Sequence, residues 1–180
     1  ISLAAGLSVA TLSRYLGGTR RLVRVMPNTP AQVGEGVAGL FADSAVGAAD
    51  RATAEAIIGA SCRLTFWLSD EAQMHAVTAV SGSGSAYVFY LMHALQQAAQ
   101  GLGFGADAAR ALSLQTFRGA VELAAQSGAD FAALQDAVTS KGGTTFAALE
   151  TFRQRAVAEH LREGVEAAAA RSAELGRNLG

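Results

Sequence analysis

The stretch "SGSGSAYVFYLMHALQQ" (residues 81–97) lies near the start of the second of two parts of the sequence that differ in character. It opens with a turn of glycine and serine and continues with large apolar residues that recur every three or four positions. This spacing predicts an amphipathic helix that begins directly after the turn. Strand and helix signals alternate before residue 71, whereas almost all of the chain after it has helical spacing. The sequence therefore predicts an α/β part at residues 1–70 and an all-α part at residues 71–180.

The α/β part holds four short apolar runs and two amphipathic segments. The strand candidates are "ISLAAG" (1–6), "RRLVRVM" (20–26), "EGVAGLFA" (35–42) and "CRLTFWL" (62–68). The helix candidates are "VATLSRYL" (9–16), with Ser8 as its N-cap, and "ADRATAEAIIGA" (49–60). Strand, helix and strand at this spacing are typical of the later half of a doubly wound, Rossmann-type domain. Because the chain starts without methionine inside a strand-like run, we expect it to be a piece of a longer protein.

The all-α part carries three apolar stripes at helical spacing. They consist of Val88, Leu91, Met92, Leu95, Ala99 and Leu102; of Leu114, Phe117, Val121 and Ala124; and of Val157, Leu161, Val165 and Ala168. Small residues on these faces let helices approach closely, but one thin bundle of this kind buries little apolar area. Packing against a second copy of the chain is the simplest way to bury more apolar area, so the sequence predicts a homodimer.

Composition excludes several classes of function. The net charge of −1 gives no electrostatic basis for binding nucleic acid or a membrane surface, and no apolar run reaches the roughly 18–20 residues of a membrane span. His75, His93 and His160 do not have the spacing of metal ligands, so no metal is expected. The single cysteine, Cys62, lies in a strand signal and cannot form an internal disulfide, which indicates a core residue in a cytoplasmic protein.

Three loops are candidates for chemistry: "MPNTP" (26–30), "SGSGSAY" (81–87) and "TSKGGTT" (139–145). Each also has a purely structural interpretation, as a rigid strand-to-helix turn, a serine-capped helix start and a glycine-rich link between helices, respectively. In a functional site, Gly82 and Gly84 would let backbone N–H groups approach a ligand at a helix N-terminus. The third loop would form a nest of N–H groups and hydroxyls that suits a carboxylate.

Taken together and in this order, "RVMPNTP" (24–30), "HAVTAVSGSGSAY" (75–87) and "VTSKGGTT" (138–145) resemble the pyrroline-5-carboxylate reductase family, and the resemblance covers nearly the whole chain. It implies a Rossmann-type domain that binds NADPH or NADH, whose phosphate-binding loop would lie upstream of Ile1. It further implies a helical domain, like the C-terminal domain of 6-phosphogluconate dehydrogenase, that interlocks with its twin in a homodimer or a larger assembly of dimers. The implied activity is the reduction of 1-pyrroline-5-carboxylate to L-proline in the cytoplasm, the last step of proline biosynthesis. Without the upstream loop, we expect the 180 residues alone to be inactive.

The resemblance also assigns residues to the site. The loop that holds the substrate comprises Ser140, Lys141, Gly142, Gly143, Thr144 and Thr145. Thr145 is the catalytic candidate, because its hydroxyl would hydrogen-bond the ring nitrogen and help to deliver a proton. The residues on the nicotinamide side are Ala4, Ala5, Gly6, Met26, Pro27, Asn28 and Thr29. Since the cofactor carries the difficult chemistry, the protein needs no nucleophile.

Two residues depart from the family pattern. Ser85 and Lys141 stand where the family has proline in the second and third loops. Serine is well tolerated in the first turn of a helix, and the loss of the loop proline frees one φ angle. Neither change removes a hydroxyl or an N–H group, and Lys141 either pairs with the substrate carboxylate or is simply solvated.

Two other functions are alternatives. A related β-hydroxyacid dehydrogenase has the same architecture but needs a general base, typically a lysine on the helix after the second glycine loop. The segment "AYVFYLMHALQQ" (86–97) contains neither lysine nor acid, which argues against that class. The second alternative is a non-catalytic dimerisation fragment, which would suit the 180 residues alone, although the retained substrate loop at residues 139–145 indicates that the longer protein does more.

Overall fold

The computed structural model describes the backbone of residues 1–179. Its strands are β1 (Val23–Pro27), β2 (Gly36–Ala42) and β3 (Cys62–Trp67). Its α-helices are α1 (Val9–Tyr15), α2 (Ala48–Gly59), α3 (Gln73–Val77), α4 (Gly84–Gly101), α5 (Ala106–Ser127), α6 (Phe131–Ala137), α7 (Thr144–Gln154) and α8 (Val157–Leu179). A 3₁₀-helix at Thr29–Val33 follows β1, and a π-helix at Thr78–Gly82 follows α3. An α/β part is followed by an all-α part, which confirms the predicted fold class.

The elements fall into two compact units. The first unit comprises residues 1–86 together with the end of α8 from residue 163 onward, and the second comprises residues 87–162. Helices α4 and α8 each begin in one unit and end in the other. The division into domains at residues 70 and 71 stays a prediction.

The first unit is built on a three-stranded mixed sheet in the order β1–β2–β3. β1 and β2 run antiparallel, with Val23 opposite Ala42, whereas β2 and β3 run parallel with a register shift between Gly36 and Val37. The lengths of the two connecting segments explain why one strand pair is antiparallel and the other is parallel. Residues 28–35 are too few for a crossover, whereas the segment between β2 and β3 contains α2 and returns the chain to the edge from which β2 started.

The segment before α1 runs beside β1. Ser2 forms a parallel bridge with Arg24, and both the N–H and the carbonyl of Ser2 make hydrogen bonds of 2.8 Å to the backbone of β1. This bridge is all that the structure keeps of the strand predicted at residues 1–6, because the chain turns away at Ala5 and Gly6, where Gly6 has a φ of 79°. The two segments point in the same direction, so the residues that follow each of them emerge at the same edge of the sheet.

The core of the first unit joins the sheet to α2. Ala38 and Leu40 on the central strand are completely buried, and α2 adds Ala54 and Ile58, which lie one helical turn apart. Cys62 is buried in the same cluster, which confirms the core position predicted for it. Each large apolar side chain buried in this way contributes about 1.5–3 kcal/mol, so the cluster holds β1, β2, β3 and α2 together.

The second unit leaves most of its apolar side chains uncovered. Ala109 is completely buried, and Ser113 on α5 is nearly so, with its hydroxyl donating to the carbonyl of Met92 on α4 at 2.7 Å. In contrast, Leu102 and Val121 of the predicted stripes are 82% and 67% exposed. A single copy of the chain therefore presents apolar helical faces of the kind that mark interaction surfaces. Among the helices of residues 1–179, none combines the length and the apolar character that a bilayer crossing requires.

Candidate functional site

Two of the predicted site segments reach the same edge of the sheet in the first unit. Ala4–Gly6 follows the bridge at Ser2, and Met26–Thr29 ends β1 and enters the 3₁₀-helix. Both lie beyond the carboxyl ends of neighbouring parallel segments, which is where doubly wound domains bind their ligands. The exposed members are Ala4, Ala5 and Thr29, and the half-buried ones are Gly6, Met26, Pro27 and Asn28.

Asn28 connects this edge to the glycine-serine turn. Its Oδ1 accepts a hydrogen bond from the N–H of Val37 at 2.8 Å, and its Nδ2 donates to the carbonyl of Ser81 at 3.3 Å. Both ends of the side-chain amide are therefore engaged by the backbone of the protein. The sequence predicts Asn28 as a cofactor residue but contains no local signal for these two partners, because they lie 9 and 53 residues away.

The first residues of the glycine-serine turn, Ser81 and Gly82, belong to the π-helix at Thr78–Gly82. The N–H of Ser83 donates to the carbonyl of Thr78 at 2.8 Å, which closes one wide turn. The hydroxyls of Thr78 and Ser81 donate to carbonyls four residues earlier, at 2.7 and 3.0 Å. Such turns are rare and are found frequently at functional sites, so the winding of this segment supports its assignment as part of one.

Gly82 makes the second contact between the same two segments. A Cβ atom at Gly82 would come 2.8 Å from Cε of Met26, so the methionine side chain occupies the space that a larger residue would need. Two residues later α4 begins at Gly84, and the helix start predicted after this turn is confirmed. In the following turn of α4, the hydroxyl of Tyr87 is buried and has no hydrogen-bond partner among the described residues.

A partly buried ion pair lies close to the turn at residues 4–6. Nη1 of Arg24 on β1 is 2.6 Å from Oε1 of Glu71, and the Arg24 side chain is only 9% exposed. The same carboxylate oxygen accepts the N–H of Val9, the first residue of α1, at 2.6 Å. Glu71 thus connects β1 to the helix that follows the turn. No short-range pattern in the sequence predicts this role, since the two partners are 47 and 62 residues away.

Arg24 and Glu71 line a cavity of about 290 Å³ in the first unit. Its other walls include Gly6, His75 and the last turns of α8. Nδ1 of His75 is 2.9 Å from Oγ of Ser172, and a Cβ at Gly176 would lie 3.2 Å from the carbonyl oxygen of Gly6. The predicted nicotinamide turn is therefore packed directly against the end of α8.

The predicted substrate loop lies in the second unit. It joins α6, which ends at Ala137, to α7, which begins at Thr144, and this helix–loop–helix order agrees with the sequence pattern. Gly142 has a φ of 74°, a conformation that favours glycine, and Gly143 takes the N-cap position of α7. The N–H of Gly143 donates to the carbonyl of Ser140 at 3.0 Å, so this donor is used within the loop.

The first turn of α7 presents donors beside this loop. Gly143 has no side chain that caps the helix, and the N–H groups of Thr144 and Thr145 belong to the first turn, where an α-helix supplies no acceptor. A Cβ at Gly143 would lie 2.5 Å from Oγ of Ser140, so the serine hydroxyl sits directly over the N-cap. Thr145 is half-buried, whereas Lys141 is exposed. N–H groups, hydroxyls and the positive end of the helix dipole together suit a carboxylate.

Two carboxyl groups outside these loops, on half-buried Asp43 and exposed Glu174, have lowered pKa values. The N–H of Ala45, and then the guanidinium of Arg20, lower the pKa of Asp43. The hydrogen bond and the charge of Arg171 lower the pKa of Glu174. Within residues 1–179, no three His, Cys, Asp or Glu side chains are grouped in a way that could hold a metal ion.

Several known proteins are similar to the chain. Residues 71–175 match the family model described as pyrroline-5-carboxylate reductase dimerisation. The chain is 44% identical, over its whole length, to the pyrroline-5-carboxylate reductase of Pseudomonas aeruginosa, of which it covers 66%. It is 42% identical to that of Haemophilus influenzae, over 97% of this chain and 65% of the relative. The chain thus spans just under two thirds of the length of these curated relatives.

Solved structures give the same result. A pyrroline-5-carboxylate reductase from Coxiella burnetii matches with a TM-score of 0.90 and 39% identity, over 97% of this chain and 64% of that one. The pyrroline carboxylate reductase of Plasmodium falciparum, solved with NADP bound, matches with a TM-score of 0.89 and 30% identity, over 97% of this chain and 70% of that one.

Proposed function

Because the chain belongs to the pyrroline-5-carboxylate reductase family, we propose that it works in the reduction of 1-pyrroline-5-carboxylate to L-proline, the last step of proline biosynthesis. The observation that carries the proposal is the loop at residues 140–145, where hydroxyls flank the uncapped first turn of α7. The substrate has one carboxylate and one imine nitrogen, and this loop offers partners for both.

The carboxylate of the substrate is bound at the start of α7. Its oxygens accept hydrogen bonds from the N–H of Thr144 and from the hydroxyl of Ser140, and the helix dipole favours its negative charge. Gly142 and Gly143 keep side chains out of the space in front of these donors. Lys141 is exposed, which supports a solvated side chain rather than a direct contact with the substrate.

Thr145 acts on the reacting atoms. Its hydroxyl donates a hydrogen bond to the ring nitrogen, the atom that carries an additional proton in the product. A donor that is aligned with this nitrogen as the C=N bond is reduced stabilises the transition state more than the ground state. The half-buried position of Thr145 supports this role, because a hydrogen bond that is partly removed from water is electrostatically stronger.

The cofactor is NADPH or NADH, which supplies the hydride when it is bound. Ala4–Gly6 and Met26–Thr29 support binding of the nicotinamide, because they follow the carboxyl ends of neighbouring parallel segments. Gly6 has a positive φ, a conformation that favours glycine, and it carries no side chain that would keep a flat ring away from this turn. The NADP in the Plasmodium relative is consistent with this choice.

The assembly is a homodimer, or a larger assembly of such dimers, held by the all-α part. The family model that matches residues 71–175 is named for dimerisation, and apolar faces of α4 and α5 are uncovered in one copy. The start of that match at residue 71 also supports a division into domains at 1–70 and 71–180. The single cysteine, buried and unpaired, supports a cytoplasmic location.

A turnover assay tests the proposed reaction. The full-length enzyme is expected to oxidise NADPH or NADH when 1-pyrroline-5-carboxylate is added, with formation of proline in equal amount. Oxidation of a β-hydroxy acid by NADP⁺ or NAD⁺, with no reduction of the imine, would contradict the proposal and favour the related dehydrogenase class.

A further inference from the structure

The side chain of Asn28 connects three segments of the first unit. Asn28 follows β1, its Oδ1 holds the N–H of Val37 at the start of β2, and its Nδ2 holds the carbonyl of Ser81 in the π-helix. Val37 lies just beyond the last residue pair between β1 and β2, so Asn28 supplies the acceptor that the strand ladder no longer provides.

The chemistry of this position requires an amide. One planar group must accept from one backbone N–H and donate to one backbone carbonyl at the same time. Aspartate offers the acceptor but has no donor when ionised, and alanine offers neither. The requirement is therefore specific to the two contacts and does not depend on any contact with a ligand.

The same two segments also meet through Met26 and Gly82. The close approach of Met26 Cε to Gly82 places the methionine side chain against the turn that Asn28 holds by its carbonyl. Met26–Thr29 is the segment assigned to the nicotinamide side, and the turn leads directly into α4 at Gly84. Two independent contacts thus fix the cofactor-facing segment relative to the first turn of this helix.

We propose that Asn28 is a positioning residue for hydride transfer, whose amide holds the Met26–Thr29 segment against the Ser81–Gly82 turn. The inference deepens the proposed function and rests on it. Asn28 acts through the segment that it holds and not by contact with the substrate. Misplacement of reacting groups by about 1 Å can cost roughly 100-fold in rate, so loss of this connection is expected to reduce turnover substantially.

Asn28→Asp in the full-length enzyme is the decisive variant. It keeps the acceptor for the N–H of Val37, removes the donor to Ser81 and places a carboxylate near that carbonyl. We expect kcat to fall by about 10- to 100-fold, with KM for NADPH or NADH little changed. With deuterated cofactor, the isotope effect on kcat is expected to rise, because hydride transfer becomes slower relative to product release.

Amide hydrogen exchange gives a readout that is independent of activity. The N–H of Val37 should stay protected in Asn28→Asp, which keeps its acceptor, and should exchange faster in Asn28→Ala, which does not. Asn178→Asp is the matched control, since Asn178 is exposed on α8 and the substitution adds the same charge. We expect this control to resemble the wild type in kcat, in the isotope effect and in the exchange of Val37.

Three outcomes would overturn the inference. The first is a kcat and an isotope effect of Asn28→Asp equal to those of the wild type. The second is a rise in KM for the cofactor alone, which would mean that the side chain binds the cofactor itself. The third is unchanged exchange of Val37 in Asn28→Ala. If the wild-type enzyme does not reduce the imine at all, the proposed function fails, whereas an active wild type with unaffected variants refutes only the positioning role.

Discussion

At the scale of single residues, the substrate loop separates a half-buried Thr145 from an exposed Lys141. Thr145→Val keeps the shape of the side chain and removes the hydrogen bond that we propose it donates to the imine nitrogen. The lost transition-state interaction is expected to cost about 2–4 kcal/mol, a fall of roughly 30- to 1000-fold in kcat/KM. Lys141→Pro restores the family residue and is expected to cost less than about 1 kcal/mol, since the donors of the loop stay in place. Steady-state kinetics of both variants shows which of the two side chains matters for the reaction. A large rise in KM for Lys141→Pro alone would mean that Lys141, and not Thr145, makes the important contact with the substrate.

Glu71 is expected to matter for stability through its two partners. Glu71→Gln leaves the guanidinium of Arg24, which is nearly buried, without its counter-charge, and such a loss typically costs about 1–3 kcal/mol. Glu35→Gln is the matched control, because Glu35 pairs with Arg63 on the surface, where both side chains are more than half exposed. An exposed pair contributes no more than about 1 kcal/mol. Urea unfolding of the two variants compares them, and equal midpoints would contradict the role of Glu71.

How well the sequence predicts a side-chain contact depends on how close the two partners are along the chain. Ser8 caps α1 by accepting the N–H of Thr11, a contact within one turn that the sequence pattern contains. The partners of Arg24 and Asn28 lie dozens of residues away, and which of them meet depends on how the strands and helices pack. The sequence motifs identify the segments at residues 26–30 and 81–87. The side-chain contacts that hold these segments in place follow only from the folded structure.

At the scale of elements, helices were more predictable than the sheet. The bounds of α2 and the start of α4 follow from apolar spacing and glycine, and the structure agrees to within a few residues. The antiparallel pairing of β1 with β2 has no such signal, because periodicity reports which face of a strand is buried and not its direction. The sequence pattern likewise does not predict the π-helix at Thr78–Gly82, since a π-helix differs from an α-helix in pairing each N–H with the carbonyl five residues earlier instead of four.

The loop before α7 gives a prediction at this scale. A methyl group at Gly143 would meet Oγ of Ser140 at 2.5 Å and its carbonyl oxygen at 3.1 Å, so Gly143→Ala must displace Ser140. Overpacking of this kind typically costs about 1–3 kcal/mol. In a Ser140→Gly background the hydroxyl is gone, and the cost of Gly143→Ala is expected to be smaller. A double-mutant cycle of unfolding free energies measures the difference, and additive effects would show that the two residues do not crowd each other.

At the scale of the whole molecule, the uncovered apolar faces predict self-association. Val121 lies with Phe131 in an apolar groove of the second unit, and both side chains are exposed in one copy. Val121→Asp is expected to raise the dimer dissociation constant by roughly 30-fold or more, because a charge would be buried without a partner. Ile57→Asp, at an exposed apolar position on α2 of the first unit, is the control. Analytical ultracentrifugation at micromolar concentration measures the dissociation constants of the two variants and of the wild type. A wild type that remains monomeric would refute the predicted dimer.

The first unit is assembled from both the beginning and the end of the described chain. His75 meets Ser172 across 97 residues, and Gly176 closes against the carbonyl of Gly6. During synthesis on the ribosome, the sheet emerges long before the turns of α8 that complete its cavity. Contacts between such distant residues form slowly, and the uncovered surface that awaits them favours aggregation or capture by chaperones. Each newly made chain therefore passes through a period in which the turn at Ala4–Gly6 exists without its packing partner, and this period ends only after α8 has left the exit tunnel.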